Sequence, residues 1–513
     1  MKIERSKNAS RNIASGILLR IFQTAVPFLL RSAMIYKLGM EYVGLDTLFV
    51  SILHVLNLVE LGVGSAMVYS MYRPIAENDR AKMNALLNLY KKYYRIIGTV
   101  VLVIGLILVP FLPKLIRGNV PDGVNIYILY LINLSATALS YWLFAYKNSL
   151  LMAHQRTDVT NKILLAAFSA RYLLQFIALL AFKNIYVYFL GVLISQLFTN
   201  ILTYFITKKM FPDFAPVGKL ETSERKDINK HIKDLFTAKL GGTITNSADT
   251  VIISAFLGLT VLAKYNNYYY ILTALFGFMT IIFQSCLAGI GNSLVVESEE
   301  KNYKDFEKFS LLLTWIIGYC TAGLYCLIQP FMKIWVHEVN MLDDTYTILF
   351  CIYFYVYELA LVWATYKDAG GIWHEDRFRP LCVTIVNLGL NLLTVQFMGL
   401  YGVILSTVIS YMAVGMPWML HNIFKTLFHK QHAGLYIVKC FIGVLSTTAA
   451  CIASSFACRI VTGDGIVAFL IKAAIVTVVT NLLFFIIYFR SEEFKGIKAM
   501  GLNLIKRMKK SNR

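Results

Sequence analysis

The stretch YKNSLLMAH, Tyr146–His154, returns as YKDAGGIWH, Tyr366–His374, 220 positions later. The Tyr-Lys pair and the His keep their spacing. Sliding the chain on itself extends the match. YKLGMEYVGLDTLFVSIL (36–53) lies over AFLGLTVLAKYNNYYYIL (255–272) at an offset of 219. YRIIG, ending at Gly98, lies over TWIIG, ending at Gly318, and Pro110 falls over Pro330, both at an offset of 220. Several agreements at one offset mark a duplicated chain, and the repeated phrase is one loop, copied. Its Tyr residues sit at helix ends, where they serve as interfacial anchors or as parts of a gate.

Composition sets this duplication in a membrane. The 513 residues are 58% hydrophobic and 15% charged, with mean hydropathy +0.61; a soluble domain carries about 25% charged residues. Apolar runs of about 20 residues recur from end to end, the length that crosses a bilayer as a helix. Fourteen spans are expected, near 12–36, 44–70, 93–113, 124–146, 160–182, 185–207, 234–258, 266–296, 309–335, 345–366, 379–398, 401–424, 435–458 and 465–489. The first contains Arg20 and Arg31 and no small-residue cleavage site, so it reads as a retained helix and not a signal peptide.

The expected fold is an all-α polytopic membrane protein with 14 transmembrane helices: two pseudo-symmetric six-helix halves plus two C-terminal helices. The halves are 1–210 and 234–430, joined by a cytoplasmic linker 211–233; the extra helices occupy 431–490, and 491–513 is a basic cytoplasmic tail. An even helix number per half makes both halves face the same way, an arrangement common in secondary transporters.

The net charge of +20 follows from orientation. With the N-terminus inside, 37 of the 49 Lys and Arg fall in inner segments, 7 in outer ones and 5 within spans. That bias places both termini in the cytoplasm. The basic segments then face anionic lipid, and nucleic acid need not be invoked. The eight Cys form no CxxC or disulfide-like framework and receive no redox or metal role.

Charges inside spans are the candidate site. A charge at the bilayer centre costs about 2.5–3.5 kcal/mol on insertion scales, so it faces a cavity or a partner. Arg20 and Arg31 lie in helix 1, Glu60 in helix 2, Arg171 in helix 5, Lys239 and Asp249 in helix 7, and Glu358 in helix 10. At the repeat offset of 219, Arg20 falls over Lys239. Gln23 and Thr24 flank the same face of helix 1, and Thr243, Asn246 and Thr250 extend the stripe of Lys239. Such stripes are expected to line an aqueous cavity between the halves. Arg20, Arg31, Arg171 and Lys239 are the candidate substrate-binding cations, and a cation-lined cavity suits an anionic substrate, phosphate above all. Glu60, Asp249 and Glu358 are candidates for a coupling ion or for charge pairs, with Glu60 or Glu358 able to serve Arg31 or Arg171.

Enzyme signatures are missing. No Walker A loop is present, and the outer loops are too short for a catalytic domain. HNIFKTLFHKQH (421–432) holds His429 and His432, too few ligands for a metal. No cofactor, catalytic residue or metal is expected.

GIWHEDRFRPLCVTIVNLGLNLLTVQFMGLYGVILSTVIS (371–410) and GLDTLFVSILHVLNLVELGVGSAMVYSMYRPIAENDR (44–80) resemble the matching segments of Wzx-type polysaccharide flippases, in the polysaccharide-transport branch of the MATE-like superfamily. The resemblance covers essentially the whole chain. It implies an alternating-access bundle that moves a polyprenyl-diphosphate-linked oligosaccharide from the inner to the outer leaflet of the bacterial plasma membrane. It implies helices 1 and 7 at the cavity mouth, and other polysaccharide-assembly proteins as partners. The rival readings are a small-molecule exporter on the same fold, whose cavity would be mainly acidic, and a membrane enzyme or scaffold of polysaccharide assembly.

Overall fold

The computed structural model describes the backbone of residues 5–499 save 61, 119, 430 and 432, and the side chains of these save 5–10, 13, 234, 235, 237–243, 245, 246 and 288. Among the described residues every regular element is a helix. Among the described residues, twelve helices are long and apolar enough to cross a membrane, and a bent pair, Ile126–Trp142 with Ala145–Ala153, makes a thirteenth. The remaining expected place holds a shorter apolar segment, Ser247–Leu257, at the end of a longer helix. The chain is an all-helical multi-pass membrane protein.

Two compact units divide it, Met1–Ala263 and Lys264–Arg513. The first holds α1 (Arg5–Lys37), α2 (Met40–Leu56), α3 (Val63–Glu77), α4 (Arg80–Leu108), α5 (Ile126–Trp142), α6 (Asn148–Ala153), α7 (Thr157–Ile177), α8 (Ile185–Met210), α9 (Thr222–Leu257) and the first turn of α10 (Leu259–Val296). The second holds the rest of α10, then α11 (Glu299–Val336), α12 (Asp344–Ala369), α13 (Arg379–Met398), α14 (Leu400–Ser410), α15 (Met416–Thr426), α16 (Ala433–Cys458) and α17 (Ile466–Tyr488). A π-helical turn at Tyr411–Gly415 joins α14 to α15.

Local chemistry sets the breaks. Asp79, Asn125, Asn184 and Ser298 cap α4, α5, α8 and α11, each side chain accepting from a backbone N–H of the first turn. The span expected at 44–70 is broken: Asn57–Glu60 tightens into a 3-10 turn and Gly62 takes φ +87° before α3 begins. Only a residue without Cβ adopts that conformation freely. The expected linker is not slack either. Its last part is already the start of α9, and the rest is tied to α4. Asn84 Oδ1 accepts from the Ala215 N–H at 2.9 Å, Asn88 Nδ2 donates to the Gly218 carbonyl at 2.7 Å, and Lys82 pairs with Glu224.

Within the first unit α1 packs on α7, α7 on α8, and α2 and α3 on α9. The approach at the end of α9 is close: a Cβ on Gly44 of α2 would stand 2.2 Å from the Leu259 carbonyl oxygen. Beside it, the Arg117 N–H donates to the Ser254 carbonyl at 3.0 Å and Ser254 Oγ donates to the Leu115 carbonyl at 2.7 Å. Within the second unit α11 packs against α12, α16 and α17, so the two extra helices cover α11. The repeated glycines show the difference. A Cβ on Gly98 would meet Trp142 of α5 at 2.7 Å, whereas on Gly318 it would meet Phe484 of α17 at 2.5 Å.

The copied loop is built for burial. Tyr146 and Tyr366 are buried, not laid at an interface. Lys147 Nζ sits 4.5 Å over the Tyr204 ring, and Lys367 Nζ pairs with Asp376 Oδ2 at 3.3 Å. Each copy holds one two-pronged acid–guanidinium pair: Arg156 with Asp158, nearest 2.9 Å, and Arg379 with Asp376, nearest 2.7 Å. The first copy also grips α1, because the Asp158 N–H donates to Asn12 Oδ1 at 2.7 Å. Just after the repeated phrase in each half, a buried Asp thus meets a planar guanidinium fork.

Candidate functional site

Half-buried charges in the first unit gather around a residue absent from the sequence expectations. Asp46 of α2 interacts electrostatically with Arg171 of α7 and, more weakly, with Arg31 of α1. Tyr188 of α8 interacts with all three. Four helices therefore converge on one cluster holding two guanidinium groups and one carboxylate. Arg31 lies six residues from the end of α1, about 9 Å along the axis.

Aromatic and amide side chains fix this cluster. The Arg171 guanidinium lies 5.9 Å over the Tyr172 ring, which stacks on Phe168 at 5.9 Å and meets Phe22 of α1 at 5.5 Å. One turn beyond Arg171, fully buried Gln175 donates to the Tyr188 carbonyl at 3.4 Å. The Arg171 Nε is itself buried and makes no hydrogen bond. Guanidinium forks match the oxygens of carboxylates and phosphates. Among the described residues the cluster holds one acid for two cations.

Glu60 bonds to a tyrosine of α4. It sits at the break between α2 and α3 and its Oε1 accepts from the Tyr94 hydroxyl at 2.8 Å; Tyr90 in turn donates to Tyr94 at 2.9 Å. Nearby, the Tyr141 hydroxyl donates to Asn57 Oδ1 at 2.9 Å. Gly64 completes the fit, since a Cβ there would stand 3.2 Å from the Tyr90 oxygen and 3.3 Å from Glu60 Oε1. Tyr94 of α4 thus donates to this acid, and Asp46 lies within electrostatic range of the two arginines.

The other candidates fall elsewhere. Arg20 lies on an exposed part of α1, and Thr24 Oγ1 donates to its carbonyl at 2.9 Å. Asp249 and Thr250 are buried in α9. The side chains of Lys239, Thr243 and Asn246 lie outside the described residues. Glu358 belongs to the second unit, where it is fully buried in α12, and neither of its carboxyl oxygens has a hydrogen-bond partner. Among the described residues no group of three or more His, Cys, Asp or Glu could hold a metal ion. His429 pairs with Glu299 at 3.2 Å; His432 lies outside the described residues.

No known family model and no curated protein matches the sequence. Solved structures match the fold. One is described as lipid II flippase MurJ in an inward closed conformation, with TM-score 0.67 and 16% identity over 93% of this chain and 99% of that one. Another is an inward-facing multidrug resistance MATE family transporter of the MOP superfamily, with TM-score 0.63 and 14% identity over 78% of this chain and 94% of that one. An outward-facing MATE transporter matches with TM-score 0.54 and 14% identity, over 82% of this chain and 95% of that one. The fold is that of MurJ and the MATE transporters, and these neighbours are transporters and flippases, not enzymes.

Proposed function

We propose that this protein is a flippase that moves a polyprenyl-diphosphate-linked oligosaccharide from the inner to the outer leaflet of the bacterial plasma membrane, for surface polysaccharide synthesis. The observation that carries the reading is the pair of arginines, Arg31 and Arg171, held around one acid by four helices. A carrier of small organic cations needs acids to dominate such a site; among the described residues this cluster sets two cations beside one acid. The similarity of fold to a lipid II flippase supports a lipid-linked substrate.

In this reading the two halves rock about a cavity and both termini stay in the cytoplasm. Arg20 and Lys239 meet the diphosphate first, while the isoprenoid tail remains in lipid. Arg31 and Arg171 hold the head group further out, exchanging their interaction with Asp46 for one with phosphate oxygens. Asp249, Glu60 and Glu358 remain the candidates for the coupling ion. Assembly proteins of the same polysaccharide are the expected partners.

A binding experiment separates this from the exporter reading. A synthetic polyprenyl diphosphate carrying a short oligosaccharide is expected to raise the melting temperature of the wild type in detergent. It is expected to do so less for Arg31→Gln/Arg171→Gln, while an organic dication has no effect. Stabilisation by the dication alone would overturn the proposal in favour of the exporter.

A further inference from the structure

The repeated Tyr-Lys pair meets acids in one copy and none in the other. Lys367 Nζ stands 2.7 Å from Asp368 Oδ1 and 3.3 Å from Asp376 Oδ2. At the repeat offset of 220, those two acids become Asn148 and Arg156. Arg156 takes the nearby Asp158 for itself at 2.9 Å. Lys147 is buried all the same. Among the described residues no acid pairs with it, and the charge that acts on it is a second cation, Lys208. A buried charge without a counter-charge is costly unless something else neutralises it.

The backbone also differs between the copies. Phe144 takes φ +56°, which bulky side chains rarely adopt, and the chain bends by 49° between α5 and Ala145–Ala153. The second copy has no such bend, for α12 runs unbroken to Ala369. After the bend, Lys147 meets α8. Its Nζ lies 4.5 Å from the centre of the Tyr204 ring, and Lys208 Nζ lies 5.9 Å from the same centre. Phe144 packs on that ring at 4.4 Å. Two ammonium groups therefore share one aromatic ring.

A ring attracts an ammonium through its quadrupole, but it does not cancel a unit charge. Each ammonium carries three N–H donors, and the ring occupies one direction. An anion with several oxygens completes such a pair, and lysine binds phosphate as a point charge. Lys208 is exposed, which leaves the pair open on one side. With both termini in the cytoplasm, as proposed, this end of the unit lies at the inner leaflet, where basic pockets between helices take phosphate head groups. The geometry points to a phosphate site: Lys147 and Lys208 hold an anionic phosphate group, supplied by a lipid head group or by a soluble phosphate. The site uses none of the residues around Asp46 and does not depend on the substrate proposed for them.

The test uses the full chain in an uncharged detergent, with two probes added separately. Phosphatidylglycerol is compared with phosphatidylcholine, and inorganic pyrophosphate with chloride at equal ionic strength. A melting temperature raised by phosphatidylglycerol alone names a lipid head group; one raised by pyrophosphate names a soluble phosphate. The rise should shrink in Lys147→Gln and in Lys208→Gln and stay in Lys367→Gln, whose ammonium already has acids beside it. In wild type the effective probe should also protect Lys208 from acetylation by a water-soluble active ester, mapped by mass spectrometry, a readout that requires no variant to fold. No rise with either probe, a rise unchanged in both Lys147→Gln and Lys208→Gln, or equal acetylation of Lys208 with and without probe would overturn the assignment.

Discussion

Asp46 of α2 faces Arg171 of α7 as its strongest electrostatic partner, with Arg31 of α1 as the second. One acid therefore lies within electrostatic range of two cations. Asp46→Asn leaves two guanidinium groups close together without their counter-charge. Breaking a fully buried pair costs about 3–5 kcal/mol. Asp46 is half-buried, so the expected loss is smaller, roughly 1–3 kcal/mol in chemical unfolding. A double-mutant cycle with Arg171→Gln should show that much of the loss is shared. Strict additivity of the two single variants would show that the residues do not interact.

The close approach of α2 to the start of α10 sets a second expectation. A methyl at Gly44 would stand 2.2 Å from a backbone oxygen that cannot swing aside, whereas at Gly64 it would meet only side-chain oxygens at 3.2 and 3.3 Å. Gly44→Ala should therefore cost about 1–3 kcal/mol or force the helices apart, and Gly64→Ala should cost clearly less. Thermal unfolding of the two variants side by side checks the order, and equal midpoints would contradict it.

His154 supplies a pH dependence. Burial pushes its imidazole below the ordinary value of 6.5, opposed by a hydrogen bond to the Leu150 carbonyl. The ring stacks 4.4 Å from Phe211. The unfolded chain binds a proton that the folded ring refuses, so this contribution is full above pH 6.5 and is lost as pH falls below it. Melting temperatures between about pH 5 and 8 should fall less steeply on the acid side for His154→Phe, which keeps a ring on Phe211. An unchanged slope would remove His154 from the balance.

The orphaned carboxyl of Glu358 gives the opposite sign. A buried polar group without a partner costs about 1–3 kcal/mol, so Glu358→Met, of similar volume, is expected to melt higher than wild type. If Glu358 also carries the coupling ion, that more stable variant transports poorly. A lower melting temperature would mean that the carboxyl has a stabilising partner.

Much of this architecture was legible from hydropathy and self-similarity, because membrane spans and duplications are written in composition. Most expected spans reappear with small shifts, but the span at 44–70 is broken and, among the described residues, the place of 234–258 holds the shorter apolar segment Ser247–Leu257; Gly399 joins α13 to α14 with almost no loop, as the sequence implied. The break after Leu56 was not seen, although Glu60, Gly62 and Gly64 within eight residues were its signal. Asp46 lies near the edge of the expected span 44–70, where a charge carries no signal of burial. Its clue was symmetry about the turn at Gly39: Arg31 precedes that glycine by eight positions and Asp46 follows by seven, so an antiparallel hairpin brings them level. The bond from Tyr94 to Glu60 depends on helix packing between separate segments, which periodicity cannot supply.

The central claim is that arginines around Asp46 receive a lipid-linked diphosphate. The most direct measurement is mass spectrometry of lipids extracted from cells lacking the protein, complemented with wild type or with Arg31→Gln/Arg171→Gln expressed to the same level. The expected result is a polyprenyl-diphosphate oligosaccharide that accumulates without the protein, is cleared by wild type and persists with the double variant. Lipid profiles that are identical with and without the protein, in cells with no second flippase, would contradict the claim.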